Sequence, residues 1–311
     1  MPRRKKQPKV AFVLSGGASL GAIQVGMLRA LYERDITPDL IVGTSAGAFN
    51  GAYIASRPQT TPTAESLARI WRGLRRRQVF PVNPLTGLLG FLGAGDHLVP
   101  ESGLRRLIER HVECPELEEF PIPLHVVAVD VMTGQELRLS HGPVLDAVLA
   151  SAAIPGVLQP VSWEGRALMD GGVANNTPIS HAVELGAERI YVLPTGHACS
   201  LDEPPRGALA MALHAISLLT HRRLIDDIER HRTEAHLIVM PPPCPLNIQP
   251  IDFAHAGDLI DVALLDAREF LDSGGETREP IRMRMHRHPS VHDRKPRVQP
   301  AIEAKPPTIA P

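Results

Sequence analysis

The segment Leu40-Ile41-Val42 runs straight into Gly43-Thr44-Ser45-Ala46-Gly47, and a helical pattern over residues 45–55 follows. A G-x-S-x-G between a strand and a helix leaves few folds open. The two glycines permit a turn sharp enough to push the serine hydroxyl out past the end of a sheet, while the helix aims its unpaired N–H groups at the same place. Ser45 is therefore a candidate nucleophile. Taken alone, the pentapeptide reads more readily as a helix N-cap after a tight turn.

Two more stretches bear on that choice. Leu14-Ser15-Gly16-Gly17-Ala18-Ser19-Leu20-Gly21 follows the strand-like Val10-Ala11-Phe12-Val13 and opens a helical pattern over 20–34. Backbone N–H groups exposed by such a loop can hold a phosphate, or the oxyanion that forms on a carbonyl under attack. Gly16, Gly17 and Gly21 do not make G-x-G-x-x-G, and no acidic residue ends a clear second strand, which argues against a dinucleotide site. Met169-Asp170-Gly171-Gly172 ends another short strand-like segment. By itself this is a turn signal; at a strand end, its two glycines let a carboxylate approach another backbone closely.

In this order, the glycine-rich loop, the G-x-S-x-G serine and the D-G-G aspartate resemble the patatin-like phospholipase family. The likeness runs from about Val10 to Leu193 and takes in Gln24-Val25-Gly26, Pro38-Asp39, Val129-Asp130, the phrase Ala150-Ser151-Ala152-Ala153-Ile154-Pro155-Gly156, and Asn175-Asn176-Thr177-Pro178. It implies a three-layer α/β fold, patatin-like, with a central mostly parallel sheet and a nucleophile elbow related to that of α/β-hydrolases. It implies a serine acyl hydrolase of esterase, lipase or phospholipase A type, in which Ser45 and Asp170 form a Ser-Asp dyad and an acyl-serine intermediate forms. Gly16, Gly17 and Ala18, with Ala46, would then supply the oxyanion hole, and the substrate would be an acyl-ester lipid. Two loop positions depart from the family's usual pattern. Ala18 stands where a third glycine is usual, and supplies the same N–H if its φ is negative. Leu20 stands where a basic residue is usual, which weakens the case for a phosphate-bearing ester. These departures keep open a noncatalytic lipid-binding or regulatory protein, and acyl transfer remains a variant of the same chemistry.

Composition narrows the remaining classes. A net charge of −1 gives no general pull toward nucleic acid or an anionic membrane. Three separated cysteines without C-x-x-C read as reduced thiols of a cytoplasmic protein. Residues 1–9 carry five basic side chains, and the apolar run behind them is too short for a signal peptide. They read as a basic disordered tail with a peripheral role at the membrane inner face as the alternative. The histidines lack metal-ligand spacing, no acidic loop suits calcium, and no pattern calls for a cofactor. Oligomeric state is not legible.

Alternating strand and helix patterns predict a single domain over residues 10–275. Strands are expected at 10–14, 40–42, 124–130, 136–140, 167–169, 190–193 and 236–239. Helices are expected at 20–34, 45–55, 64–76, 102–111, 143–152, 178–185, 207–232 and 254–271. Between about 57 and 123 the alternation fails, and this stretch reads as a cap whose glycine-spaced apolar centre, residues 85–93, would form either a lip or a surface loop that packs its leucines onto the main core. Arg69, Arg72, Arg75, Arg76 and Arg77 read as a solvated helix face, with a phosphate-binding or membrane-docking patch as the alternative. Residues 276–311 read as a disordered, proline-rich tail.

Overall fold

The computed structural model describes residues 8–81, 98–196, 207–244, 246 and 248–278. In chain order the principal elements are β1 (Val10–Leu14), α1 (Ala22–Tyr32), β2 (Leu40–Thr44), α2 (Ala46–Ala55), α3 (Thr61–Gly73), α4 (Arg76–Val79), α5 (Ser102–His111), β3 (Leu124–Asp130) and β4 (Glu136–Leu139). There follow α6 (Val144–Ser151), β5 (Val161–Trp163), β6 (Arg166–Asp170), α7 (Gly172–Asn175), α8 (Ile179–Glu184), β7 (Arg189–Leu193), α9 (Ala208–His231), β8 (His236–Val239) and α10 (Ala256–Asp272).

The sheet is mixed and mostly parallel. Its order is β5-β6-β3-β2-β1-β7-β8, with β4 paired to β3. β8, β7, β1, β2 and β3 are parallel, while β4, β5 and β6 run antiparallel to their partners. The chain winds one way from β1 to β2 and β3, then returns to the other side of β1 as β7. The loop after β1 therefore lies at a topological switch point, where open α/β sheets place their ligands.

Nearly unbroken apolar runs such as Ala11-Phe12-Val13-Leu14 suit strands covered on both faces. Phe12, Leu14 and Ile41 face a large core made with α1, α2, α3, α6 and α10. Ala11, Val13 and Val42 face a smaller one closed by α8 and α9. Three layers result.

The register of β3 has the largest consequence for function. Val126 and Val127 pair with β2 on one edge and β4 on the other, whereas Ala128 and Val129 pair with β4 and β6. A strand has only two edges, so β6 occupies the edge that β2 vacates. Thr44 pairs with Val127 and Asp170 with the adjacent Ala128. The residue after Thr44 is thus brought against Asp170.

Several boundaries differ from expectation. β5 was not foreseen, because three residues carry too little pattern to register. Lys9 is tied to the fold rather than to a tail, since its carbonyl accepts from Glu188 and Arg189 N–H at 2.9 and 3.1 Å. The other end extends too: Glu276 accepts from Arg189 at 3.1 Å and from the Tyr191 hydroxyl, so the folded part passes residue 275. The expected cap is partly core, because α3 buries Leu67 and Trp71 in the main cluster. Residues 85–93, the expected lip, lie outside the described residues, as do 1–7 and 279–311. No described helix is long and apolar enough to cross a membrane.

Candidate active site

Ser45 sits between β2 and α2 at φ 55° and ψ −120°. Such a conformation costs a non-glycine residue about 1–3 kcal/mol and persists only where neighbours enforce it. Gly47 shows how they do. A Cβ there would lie 2.2 Å from the Leu14 carbonyl oxygen, so α2 can start tight against β1 only through glycine. Gly171 plays the same part opposite, where a Cβ would lie 2.3 Å from the Val127 carbonyl oxygen.

The Ser45 hydroxyl donates to Asp170 Oδ2 at 2.8 Å, and the Gly172 N–H donates to Oδ1 at 2.7 Å. Both carboxylate oxygens are thereby fixed. Ser45 and Asp170 are only 6% and 7% exposed, so the hydroxyl and its acceptor meet in a nearly dry setting. Burial raises the Asp170 carboxyl to about 6, against the opposing pull of the Gly172 and Ser45 hydrogen bonds. At neutral pH it is mostly ionised, a stronger proton acceptor than an ordinary aspartate.

Beside the pair, the loop after β1 is pinned at both ends. The Gly16 carbonyl accepts from Thr195 Oγ1 at 2.6 Å and Asn176 Nδ2 at 3.2 Å, and the Ser19 N–H donates to the Pro250 carbonyl at 2.8 Å. Gln24, fully buried, donates to the Ser15 carbonyl at 2.8 Å, and Asn50 holds Gln24 Oε1 at 2.8 Å. Trp71 Nε1 completes this chain by donating to Asn50 Oδ1 at 2.8 Å.

The four expected oxyanion donors are not equivalent. The Gly16 N–H donates to the Asn176 carbonyl at 3.0 Å and is already engaged. Those of Gly17, Ala18 and Ala46 meet no protein acceptor among the described residues. Ala18 also lies at φ 49°, in the left-handed region, contrary to the expected negative φ. The loop reverses at that residue, which is why glycine would suit it. Leu20 is partly buried against the main core, so it brings no charge to the site.

Ser151 belongs to the site although no motif marks it. It is fully buried, accepts the Ser45 N–H at 2.8 Å and donates to the Val127 carbonyl at 2.6 Å, tying the elbow to β3. Its only signal in the chain is its place in the phrase Ala150-Ser151-Ala152-Ala153.

Ser45, Ala18 and Ala46 lie at a narrow cavity of about 50 Å³ whose walls include Trp71, Phe80, Leu107 and Phe253. Arg75, Arg76 and Arg77 surround a second, shallow depression that shares Phe80 with the first. Arg72 pairs with Asp261 at 2.6 Å, whereas Arg75, Arg76 and Arg77 have no carboxylate partner among the described residues. Those residues also hold no group of three His, Cys, Asp or Glu side chains arranged for a metal ion.

Residues 12–183 match the family model described as patatin-like phospholipase, and the chain belongs to that family. It is 32% identical over 196 residues to the mouse patatin-like phospholipase domain-containing protein 6, covering 62% of this chain and 14% of that one. It is 29% identical to the lysophospholipase nte1 of Aspergillus terreus, over 67% of this chain and 13% of the other. An uncharacterised NTE family protein of Mycobacterium bovis is 30% identical over 60% of this chain and 49% of its own length. The chain thus spans from about one eighth to one half of these relatives. The human GIVD cytosolic phospholipase A2 has the same fold, with a TM-score of 0.50 at 11% identity, covering 88% of this chain and 61% of that structure.

Proposed function

We propose that this protein is a serine acyl hydrolase that cleaves fatty-acyl esters of lipids, with Ser45 as nucleophile and Asp170 as general base. The single observation that carries the reading is the 2.8 Å hydrogen bond from the Ser45 hydroxyl to a buried, doubly held carboxylate. Family membership and the names of the relatives support a lipid as the source of the ester.

In the first step Asp170 Oδ2 takes the hydroxyl proton as Ser45 Oγ adds to the ester carbonyl carbon. The oxygen that becomes negative is met by the N–H groups of Gly17 and Ala18, with Ala46 at the start of α2 as a further donor. Collapse breaks the bond to the alcohol, which leaves with the proton held by Asp170. Water then gives a proton to Asp170 and attacks the acyl-serine, and return of that proton to Ser45 releases the fatty acid. Among the described residues no histidine intervenes between the two groups. The apolar cavity beside Ser45 suits an acyl chain and offers nothing to a polar one.

A chromogenic short-chain ester assay on the parent protein, Ser45→Ala and Asp170→Asn tests this reading. Turnover by the parent alone is expected. Equal turnover by all three would remove the dyad, and turnover by none would leave a lipid-binding protein of the same fold.

A further inference from the structure

β7 and β8 are parallel, so α9 starts from the carboxyl edge of the sheet and descends to the amino edge. Its 24 residues measure about 36 Å, whereas the five of β7 span about 17 Å. The second half alone covers that height, and it supplies Leu224 and Ile228 to the core. The first half therefore stands beyond the sheet on the edge that carries Ser45. Residues 208–220 contain no Asp, Glu, Lys or Arg, while the second half is crowded with them. Each exposed residue described between 211 and 220 is apolar: Met211, Ala212, Ala215, Ile216 and Leu219. At 100° per residue these five share one face, within an arc of about 140°. The same edge exposes Val173 on α7, which packs against α9, and Val131 and Met132 after β3, with Met132 85% exposed. Six of the eight large exposed apolar side chains among the described residues thus gather at this edge.

We propose that this edge docks on an anionic lipid leaflet, with the exposed face of the first half of α9 entering the acyl region and Arg75, Arg76 and Arg77 meeting the headgroups. The three arginines are exposed, lack carboxylate partners among the described residues and share Phe80 with the walls of the Ser45 cavity, so positive charge lies beside that cavity. The positive charge of Arg75, Arg76 and Arg77 complements an anionic leaflet, whereas a second copy of this chain would bring the same sign of charge to the contact. The choice of a lipid surface over a second copy also rests on the acyl-hydrolase reading.

Flotation of the full chain with vesicles of four parts phosphatidylcholine to one part phosphatidylglycerol tests the proposal. The parent should float with these vesicles and far less with pure phosphatidylcholine. Joint Ile216→Gln and Leu219→Gln should lower partitioning at least tenfold, as should joint replacement of the three arginines by Gln. Turnover of a water-soluble ester, measured separately, should be unchanged by the first pair. Leu219→Trp should gain a blue-shifted emission on adding the anionic vesicles, a signal that does not depend on loss of folding. Failure of the parent to float, or an unshifted Leu219→Trp emission, would overturn the docking face even if the ester is hydrolysed. A dimer that the Gln pair dissociates while flotation persists would overturn it in favour of a second copy. Vesicle binding that the Gln pair abolishes, in a protein that hydrolyses no ester, would keep the docking face and remove the hydrolase.

Discussion

Replacing Asp170 with Asn separates a carboxylate retained for chemistry from one retained for stability. Burial lifts the Asp170 carboxyl from 3.8 to about 6 in the fold. Between roughly pH 4 and 6 the folded chain therefore holds more protons than the unfolded chain, and stability falls as pH rises through that window. Above it the ionised group leaves the fold about 3 kcal/mol less stable than a neutral one would. Asparagine is neutral throughout and close to the same shape. It keeps one acceptor for the Gly172 N–H and turns its amide toward Ser45, which accepts. Asp170→Asn should match or trail the parent at pH 4 and exceed it by up to about 3 kcal/mol at pH 8, a rise of about 6 °C in Tm. Ester turnover should fall at least ~10³-fold, since among the described residues Asp170 is the base that the Ser45 hydroxyl meets. Thermal unfolding of both proteins at the two pH values, with turnover measured alongside, provides the readout. An Asp170→Asn protein with the same stability difference at pH 4 and pH 8, or with turnover within tenfold of the parent, would refute the reasoning.

Other outcomes follow from the same geometry. The kcat/KM for a water-soluble ester should rise about tenfold per pH unit below about 6 and level off above it, as Asp170 ionises. Ser151→Ala strands the Ser45 N–H and the Val127 carbonyl, and should cost about 2 kcal/mol in urea unfolding. Its kcat should drop about 10–100-fold with KM little altered, because the elbow loses its tie to β3. Ala18→Gly relieves a positive φ of 49° and should raise stability by about 0.5–1 kcal/mol in the same assay, with turnover within twofold.

The elbow was legible because its glycines are demanded by local sterics, as the 2.2 Å clash of a Cβ at Gly47 with the Leu14 carbonyl makes plain. Long apolar strands such as Val10–Leu14 were legible for a similar reason: burial on both faces leaves an unbroken run. The meeting of Ser45 with Asp170 has no local cause. It depends on β6 taking the edge of β3 where β2 stops, a matter of register that follows from pairing across the sheet rather than from either motif. Motif order within a family could suggest it; spacing could not. Ser151 and Thr195 carry no local signal, because a small hydroxyl acquires its role from partners more than 100 positions away. The stretch after residue 57 has two roles that its proline and arginine content does not separate: Ala64, Leu67 and Trp71 give α3 a buried face that joins the main core, while Trp71, Phe80 and Leu107 wall the cavity beside Ser45.

Intact mass measured after treatment with an alkyl fluorophosphonate tests the central claim most directly. If Ser45 is an activated nucleophile, its Oγ forms a bond to phosphorus as fluoride leaves. One adduct should then appear on the peptide carrying Ser45, with none on Ser45→Ala and a much slower reaction on Asp170→Asn. An unmodified parent protein, or an adduct on another serine that persists in Ser45→Ala, would contradict the account.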